Sequence, residues 1–336
     1  MQAIGVITDD SELAAIWAAW ETLWRRIPDV WPFSAPAWLR PWWDAFGNGQ
    51  PVVALMHGAF GLIGLLPLYR LGDKLLPMGV GISDYFDVLL APEAPMHATS
   101  SLLAAALRAG EAQRCDLPEL PRCAQLLRAS APAGWHDDRW ASSPCPVLPL
   151  QPEPAIPKGR RRDLRQARHR ADRAGGWGVQ CADRTSLDEL LGALVALHTK
   201  CWQARRQCGV LADPRVLAFH RAAAPLLLRS GLLRMQALRL RGRIAAVAYA
   251  MLAPDQIFFY LTGYDPDAAF ESPGTILLGH MLEQAAAEGR REAHFLRGDE
   301  PYKFAWGGVE RRNAGRSLFS ASARPEANTP YKQQRS

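Results

Sequence analysis

Two short stretches of the 336-residue chain hold residues whose types and order could do chemistry. Ser272-Pro273-Gly274-Thr275 opens a helix directly after an aromatic strand. The first backbone N–H groups of a helix have no partner inside it, and the helix dipole favours an anion there. This start is therefore a candidate grip for a diphosphate. One strand later, Phe295-Leu296-Arg297-Gly298-Asp299-Glu300-Pro301-Tyr302-Lys303-Phe304-Ala305-Trp306 crowds Arg, Asp, Glu, Tyr, Lys and Trp into a single run. Lys303 could stabilise an oxyanion or neutralise a phosphate, or it could simply lie over its aromatic neighbours. Arg297 and Asp299 fit substrate contacts or a structural ion pair at the strand end. Tyr302 and Trp306 fit packing or contacts to an acceptor.

Further candidates lie upstream. His198 and Trp202 are four apart on one helix face. His198 is a candidate general base, with a half-buried structural His as the plain alternative. Tyr260 and Tyr264 close the strand that leads to the helix start. Asp84 and Asp87 flank Tyr85-Phe86 in an apolar run. On a strand, Asp84 and Phe86 would face one way, and Tyr85 and Asp87 the other. A carboxylate on an apolar strand is costly unless paired or wet, so this run suggests a cleft wall. There Asp84 would act as a base toward an acceptor, with Tyr85 and Asp87 as contacts. A turn cap explains the same acids without a ligand.

Residues 158–173 hold eight Lys/Arg against two Asp, which equals the formal net charge of the whole chain, +6. Arg161, Arg165, Arg168 and Arg162 face away from Leu164, Ala167, Ala171 and Ala174. Phosphate-bearing partners fit this helix: a nucleotide, a tRNA end, a lipid-linked precursor or an anionic membrane surface. A solvated charged face is the plain alternative. No nucleic-acid motif accompanies it, so tRNA is the lesser fit and no DNA partner is expected.

The elements that must position these residues read as follows. Residues 9–24 and 32–46 predict helices, and 51–57, 61–71 and 83–90 predict strands. A helix fits 97–108, a strand 115–120 and a short helix 122–129. Six prolines between residues 141 and 157 predict an extended connector, and the domain boundary is set there, at 150/151. In the second half, 159–174 is the basic helix. Ser186 followed by Glu189 gives a capping box for a helix over 186–202. Asp213-Pro214 caps another, to Arg229. Strands follow at 232–241, 243–252 and 256–262, with a hairpin turn at Arg241-Gly242. A helix over 273–288, a strand over 292–297, an irregular polar loop and a last strand at 316–320 complete the half. The tail, 325–336, predicts disorder. The first half echoes this order more weakly, which points to an internal duplication and an α+β fold.

Composition sets outer limits. At 49% hydrophobic and 21% charged, the chain builds a real core. No apolar run approaches the roughly 20 residues of a membrane span. No basic-then-apolar leader opens the sequence. The six Cys show no C-x-x-C and no ligand spacing with His, so no metal site is expected and reduced thiols in the cytoplasm are.

The strand order, the Ser-Pro-Gly helix start and the Phe-Leu-Arg-Gly-Asp-Glu-Pro-Tyr-Lys run together resemble GNAT-fold acetyltransferases associated with cellulose biosynthesis. These are relatives of the FemAB peptidoglycan aminoacyl transferases. Asp84-Tyr85-Phe86-Asp87 and Leu197-His198 with Trp202 also match, and the likeness covers most of residues 30–320. It implies two tandem GNAT-like lobes, each a mostly antiparallel mixed sheet flanked by helices: a degenerate one over 1–150 and a catalytic one over 151–324. It implies acyl transfer from acetyl-CoA or another acyl-CoA to an amine or hydroxyl, the acceptor being a small molecule or a glycan- or lipid-linked envelope or exopolysaccharide precursor held between the lobes. Ser272, Pro273, Gly274 and Thr275 would then hold the pyrophosphate. Lys303 would meet the reacting carbonyl, and Tyr264 or Tyr260 would protonate the leaving thiolate. Arg161 and Arg165 would bind phosphate. The enzyme would be cytoplasmic, peripheral at the inner face of the membrane. An aminoacyl-tRNA-dependent transferase and a non-catalytic scaffold in a polysaccharide machine are the rivals. His294 departs from the pattern, standing where relatives often carry an acid.

Overall fold

The computed structural model describes residues 3–321, so the tail over 325–336 lies outside the described residues. The fold is α+β with two sheets, each in its own compact unit. The chain leaves the first unit at Ser143, builds the second over Pro144–Arg311, and returns to the first at Arg312.

The first unit contains β1 (Ala3–Ile7), α1 (Asp10–Arg25), α2 (Pro36–Phe46), β2 (Gln50–Gly58), β3 (Gly61–Leu71), β4 (Lys74–Pro77), β5 (Leu89–Leu90), α3 (Ala98–Ala109), β6 (Arg114–Leu120), α4 (Gln125–Arg128) and β7 (Trp135–Pro144). The second contains β8 (Val147–Pro149), α5 (Lys158–Arg173), β9 (Trp177–Cys181), α6 (Leu187–Ala204), α7 (Pro214–Arg229), β10 (Leu233–Leu240), β11 (Arg243–Ala253), β12 (Gln256–Tyr264), α8 (Pro273–Ala287), β13 (Glu292–His294) and α9 (Pro301–Ala305). The last strand, β14 (Arg312–Ser320), pairs with β6 in the first unit. Sequence order had assigned it to the second.

The sheet orders are β1-β2-β3-β4-β6-β14-β7, with β5 on β3, and β8-β13-β12-β11-β10-β9. Both contain one motif. A three-strand antiparallel meander (β2-β3-β4, β10-β11-β12) is followed by a helix (α3, α8). The strand after the helix then pairs parallel to the last meander strand, β6 on β4 and β13 on β12. The shared order makes the duplication concrete.

Local chemistry explains most boundaries. Arg241 (φ 49°) and Gly242 (φ 76°) give the two positive φ values a tight two-residue hairpin needs. Asp213 accepts the Arg215 N–H at 2.8 Å and starts α7. At α6 the expected capping box does not form. Asp183 instead takes the N–H groups of Thr185 (2.9 Å) and Ser186 (2.8 Å). Other expectations fail for identifiable reasons. Residues 83–88 are not a strand, because Asp87 turns to cap α4. The proline-rich connector holds β8 and the end of β7, since its prolines sit at strand ends rather than centres. The strand from Glu292 stops at His294, and the polar loop contains α9.

Candidate active site

The second sheet opens between β12 and β13. The two strands pair only over Gln256–Phe258 and Glu292–His294. Beyond that point β13 is pulled away. The Phe295 N–H bonds Pro146 O (2.9 Å) and the Gly298 N–H bonds Pro144 O (2.9 Å). Leu296 (φ 60°) and Gly298 (φ 121°) make the bend. β12 bends too. Its register to β11 jumps from Tyr249↔Leu261 to Ala250↔Phe259, so Tyr260 is the extra residue of a β-bulge. Past the bulge, the Tyr264 N–H and C=O turn away from β11 to Cys201 Sγ (3.4 and 2.9 Å). Backbone groups alternate sides along an antiparallel strand, so those of Thr262 point the same way. Among the described residues they meet no partner. The result is a short length of open strand edge beside the diverging β13.

Three polar aromatics gather at the bulge. The His220 ring lies 5.5 Å from Tyr249 and 5.4 Å from Tyr260, and the two Tyr rings are 6.1 Å apart. Tyr249 is fully buried. Burial, then the neighbouring Tyr260, push its phenol well above its ordinary range. Sequence reasoning reached Tyr260 but passed over His220 and Tyr249. Their one signal was a polar ring inside an otherwise apolar helix or strand. Tyr264, the nominated proton donor, packs beside Gly274, where a Cβ would come 3.4 Å from its ring. It is a wall of the helix start, and Tyr260 is the phenol at the point of divergence.

The helix start is more sparsely furnished than expected. Pro273 has no N–H, and the N–H groups of Thr275 (3.0 Å) and Ile276 (3.2 Å) both go to Ser272 O. Ser272 is left-handed (φ 56°), and its hydroxyl donates back to Ala269 O at 3.0 Å rather than capping α8. Only the Gly274 N–H stays open among the described residues. Two guanidiniums offset this loss. Arg170 donates to Phe270 O and, at 3.4 Å, to Ser272 Oγ, and Arg241 bonds Ala174 O and sits 3.5 Å from Glu271. Helix dipole, one free amide and adjacent cations still favour an anion.

Lys303 does not play the expected part. It is 2% exposed, and its ammonium donates to the carbonyls of Arg297 (2.6 Å), Leu296 (3.2 Å) and Gly298 (3.4 Å) and pairs with Glu300 (2.8 Å). An ammonium has three protons, and all are engaged, so none is left for an oxyanion. Lys303 holds the bend that parts β13 from β12. Tyr302 packs edge-on to Phe295 (6.4 Å) and Trp306 is buried. Asp299 is exposed and Arg297 half-buried.

His198 on α6 is buried, and its Nε2 accepts the Trp202 indole N–H at 2.9 Å. Burial holds its pKa down at about 4. A neutral ring with Nε2 occupied keeps its proton on Nδ1, so His198 does not act as the general base. Arg205 lies 5.5 Å over Trp202, within electrostatic reach of Tyr302, and brings the end of α6 toward α9. His294 bonds Glu292 across 3.2 Å, and Glu292 is held at about 2, first by that bond and then by Arg311. A carboxylate thus stands two residues before His294 on the same face.

Asp84, Tyr85 and Asp87 lie in the first unit. Tyr85 packs among Trp31 and Phe33, at 5.6 and 6.0 Å. Asp87 takes the Gln125 (2.7 Å) and Leu126 (3.0 Å) N–H groups, the turn-cap alternative. Burial pushes its carboxyl up to about 6. The Asp84 side chain is buried, and its backbone carbonyl accepts from Asn313 at 3.0 Å. Arg161 is turned to the carbonyls of Ile156 (3.0 Å) and Pro154 (2.8 Å), so it serves the chain and not a ligand. Arg165 is exposed on α5. No group of three or more His, Cys, Asp or Glu able to hold a metal occurs among the described residues.

Residues 158–304 match the family model of the acetyltransferase (GNAT) domain. The chain carries a GNAT acetyltransferase domain. The match runs from α5 into α9, so it contains the opened strand pair and the α8 start. Solved structures extend the fold likeness over both units. FemX matches with TM-score 0.65 at 11% identity, over 89% of this chain and 95% of its own. The C-terminal DUF2156 domain assigned to a lysylphosphatidylglycerol synthetase of Agrobacterium fabrum matches with TM-score 0.59 at 14% identity, over 90% and 92%. L-PGS of Bacillus licheniformis matches with TM-score 0.57 at 13% identity, over 96% and 95%. Comparison with curated proteins gives no match. An acyltransferase of the GNAT fold is what the second unit encodes, and none of its helices is long and apolar enough to cross a membrane.

Proposed function

We propose that this acyltransferase takes its acyl group from an acyl-CoA, acetyl-CoA foremost, and passes it directly to an amine or hydroxyl. The observation that carries this reading is the unpartnered backbone of Thr262 in the gap between β12 and β13. An extended thioester arm laid there would add hydrogen bonds as a missing strand does, with its diphosphate toward Gly274 N–H and the two guanidiniums. The acceptor nitrogen or oxygen attacks the thioester carbonyl, the C–S bond breaks, Tyr260 gives its proton to the departing thiolate, and the proton shed by the acceptor returns to the Tyr260 phenolate. Backbone donors in the gap would stabilise the oxyanion, because Lys303 is committed elsewhere. By motif order we group the chain with the cellulose-biosynthesis-associated acetyltransferases, and an envelope or exopolysaccharide precursor is the acceptor class that fits that grouping.

Release of free CoA thiol from acetyl-CoA in the presence of amino sugars and other amine or hydroxyl acceptors tests the reading. Acceptor-dependent thiol release supports it. Transfer from charged tRNA alone, with acetyl-CoA inert, would replace it with the aminoacyl-tRNA-dependent mechanism.

A further inference from the structure

The eight cations of α5 divide into two sets. Arg160 stacks over the Trp306 ring (4.6 Å), Arg161 bonds carbonyls, Arg168 forms a two-pronged pair with Glu283 (3.1 and 2.6 Å), and Arg170 bonds Phe270 O. Lys158, Arg162, Arg165 and Arg173 are exposed, and no acid partners them among the described residues. Spaced by 4, 3 and 8 residues, they fall with His169 on one side of the helix, opposite the buried Leu164, Ala167 and Ala171. Asp172 edges this stripe, and Asp163 faces elsewhere. The stripe is roughly 22 Å long at 1.5 Å per residue.

Exposed apolar side chains adjoin the helix at both ends. At its start, Gly307 packs so closely that a Cβ would meet Pro157 at 3.1 Å, and Trp306 lies under Arg160. The residues on either side, Tyr302, Phe304 and Val309, are 43%, 36% and 60% exposed. At the other end, Phe270 is 73% exposed beneath Arg170, 5.3 Å away. Unengaged cations along one helix face, with exposed aromatic and aliphatic side chains near both helix ends beside Arg160 and Arg170, have the chemistry of the bilayer interface, where anionic headgroups lie over acyl chains. RNA would use the cations and could stack on the aromatics. It has no use for an exposed Val.

We propose that the second unit docks on an anionic lipid bilayer through the Lys158–Arg162–Arg165–Arg173 stripe of α5, with Phe304 and Val309 entering the interface. The proposal does not depend on the donor or the acceptor. It would bring an acyltransferase to a surface where lipid-linked acceptors are held.

Vesicle co-sedimentation tests it on the full chain. The protein should pellet with phosphatidylcholine vesicles that contain phosphatidylglycerol and stay in solution with phosphatidylcholine alone. Each cation near an anionic surface is worth about fivefold in partitioning, so K158Q/R162Q/R165Q/R173Q should weaken binding by a hundredfold or more, roughly. Circular dichroism would show that this variant is folded. Fluorescence of F304W should shift to the blue when phosphatidylglycerol vesicles are added. Phe304→Ser with Val309→Ser should leave the remaining binding more sensitive to salt. The proposal is overturned if the wild type ignores phosphatidylglycerol vesicles, if the quadruple variant binds them equally, or if the stripe binds tRNA while vesicles do not compete.

Discussion

Replacing Lys303 by Met separates a structural from a chemical role for this residue. Met keeps most of the aliphatic volume and removes the charge. The change strands the Arg297 and Leu296 carbonyls, now bonded at 2.6 and 3.2 Å, and leaves Glu300 without its partner at 2.8 Å. A buried carbonyl without a donor costs about 1–3 kcal/mol, and removing one member of a buried ion pair costs about 3–5 kcal/mol. Glu300 is exposed enough to rehydrate, which favours the lower part of that range. We expect a loss of about 3–4 kcal/mol, or roughly 10 °C in melting temperature for a unit of this size. Thermal unfolding followed by circular dichroism reads this directly. Acyl-transfer rates taken well below the lowered transition should change less than stability does. An unchanged melting temperature with transfer abolished would refute the reasoning and return Lys303 to the chemistry.

Other predictions follow from the same site. Tyr260→Phe should lower kcat about a hundredfold or more if the phenol protonates the thiolate, whereas Tyr264→Phe should change it little, measured by thiol release. His198 is held at about 4 by burial, against 6.5 ordinarily. The unfolded chain therefore binds a proton first as the pH falls, so the contribution of neutral His198 is complete above pH 6.5 and lost on approaching pH 4. Its size is about 3 kcal/mol, and denaturant titrations on wild type and His198→Gln should differ by that slope. Gly263→Ala would place a Cβ 2.7 Å from the His198 backbone nitrogen and 3.0 Å from Leu197 Cβ, so α6 must move off β12 at a cost of about 1–3 kcal/mol in urea unfolding.

Much of the second unit could be read from the sequence, because its signals are local. Asp213-Pro214 and Arg241-Gly242 mark element ends by backbone chemistry that tertiary packing did not override. The weaker readings fail where partners are distant in sequence. Asp87 looks like a strand residue until Gln125 and Leu126 appear beside it. β14 looks like the last strand of the second unit until it pairs with β6. Lys303 reads as a free cation because nothing in a Tyr-Lys-Phe triplet reveals that the preceding loop bends back on it. Within the site, Ser272-Pro273-Gly274 correctly marks a helix start, yet the left-handed Ser272 and its inward hydroxyl thin the cradle that the motif suggests. The gap between β12 and β13 had no signature at all. It arises from a bulge at Tyr260 and two positive φ values at Leu296 and Gly298, all set by pairing across the sheet.

Calorimetric titration of acetyl-CoA into the wild type and Thr262→Pro probes the gap most directly. Proline removes one edge-facing N–H at a position where the sheet does not need it. The account predicts saturable binding to the wild type and at least a tenfold loss in the variant, with the fold retained. Absence of binding to the wild type, or equal binding by both, would contradict it.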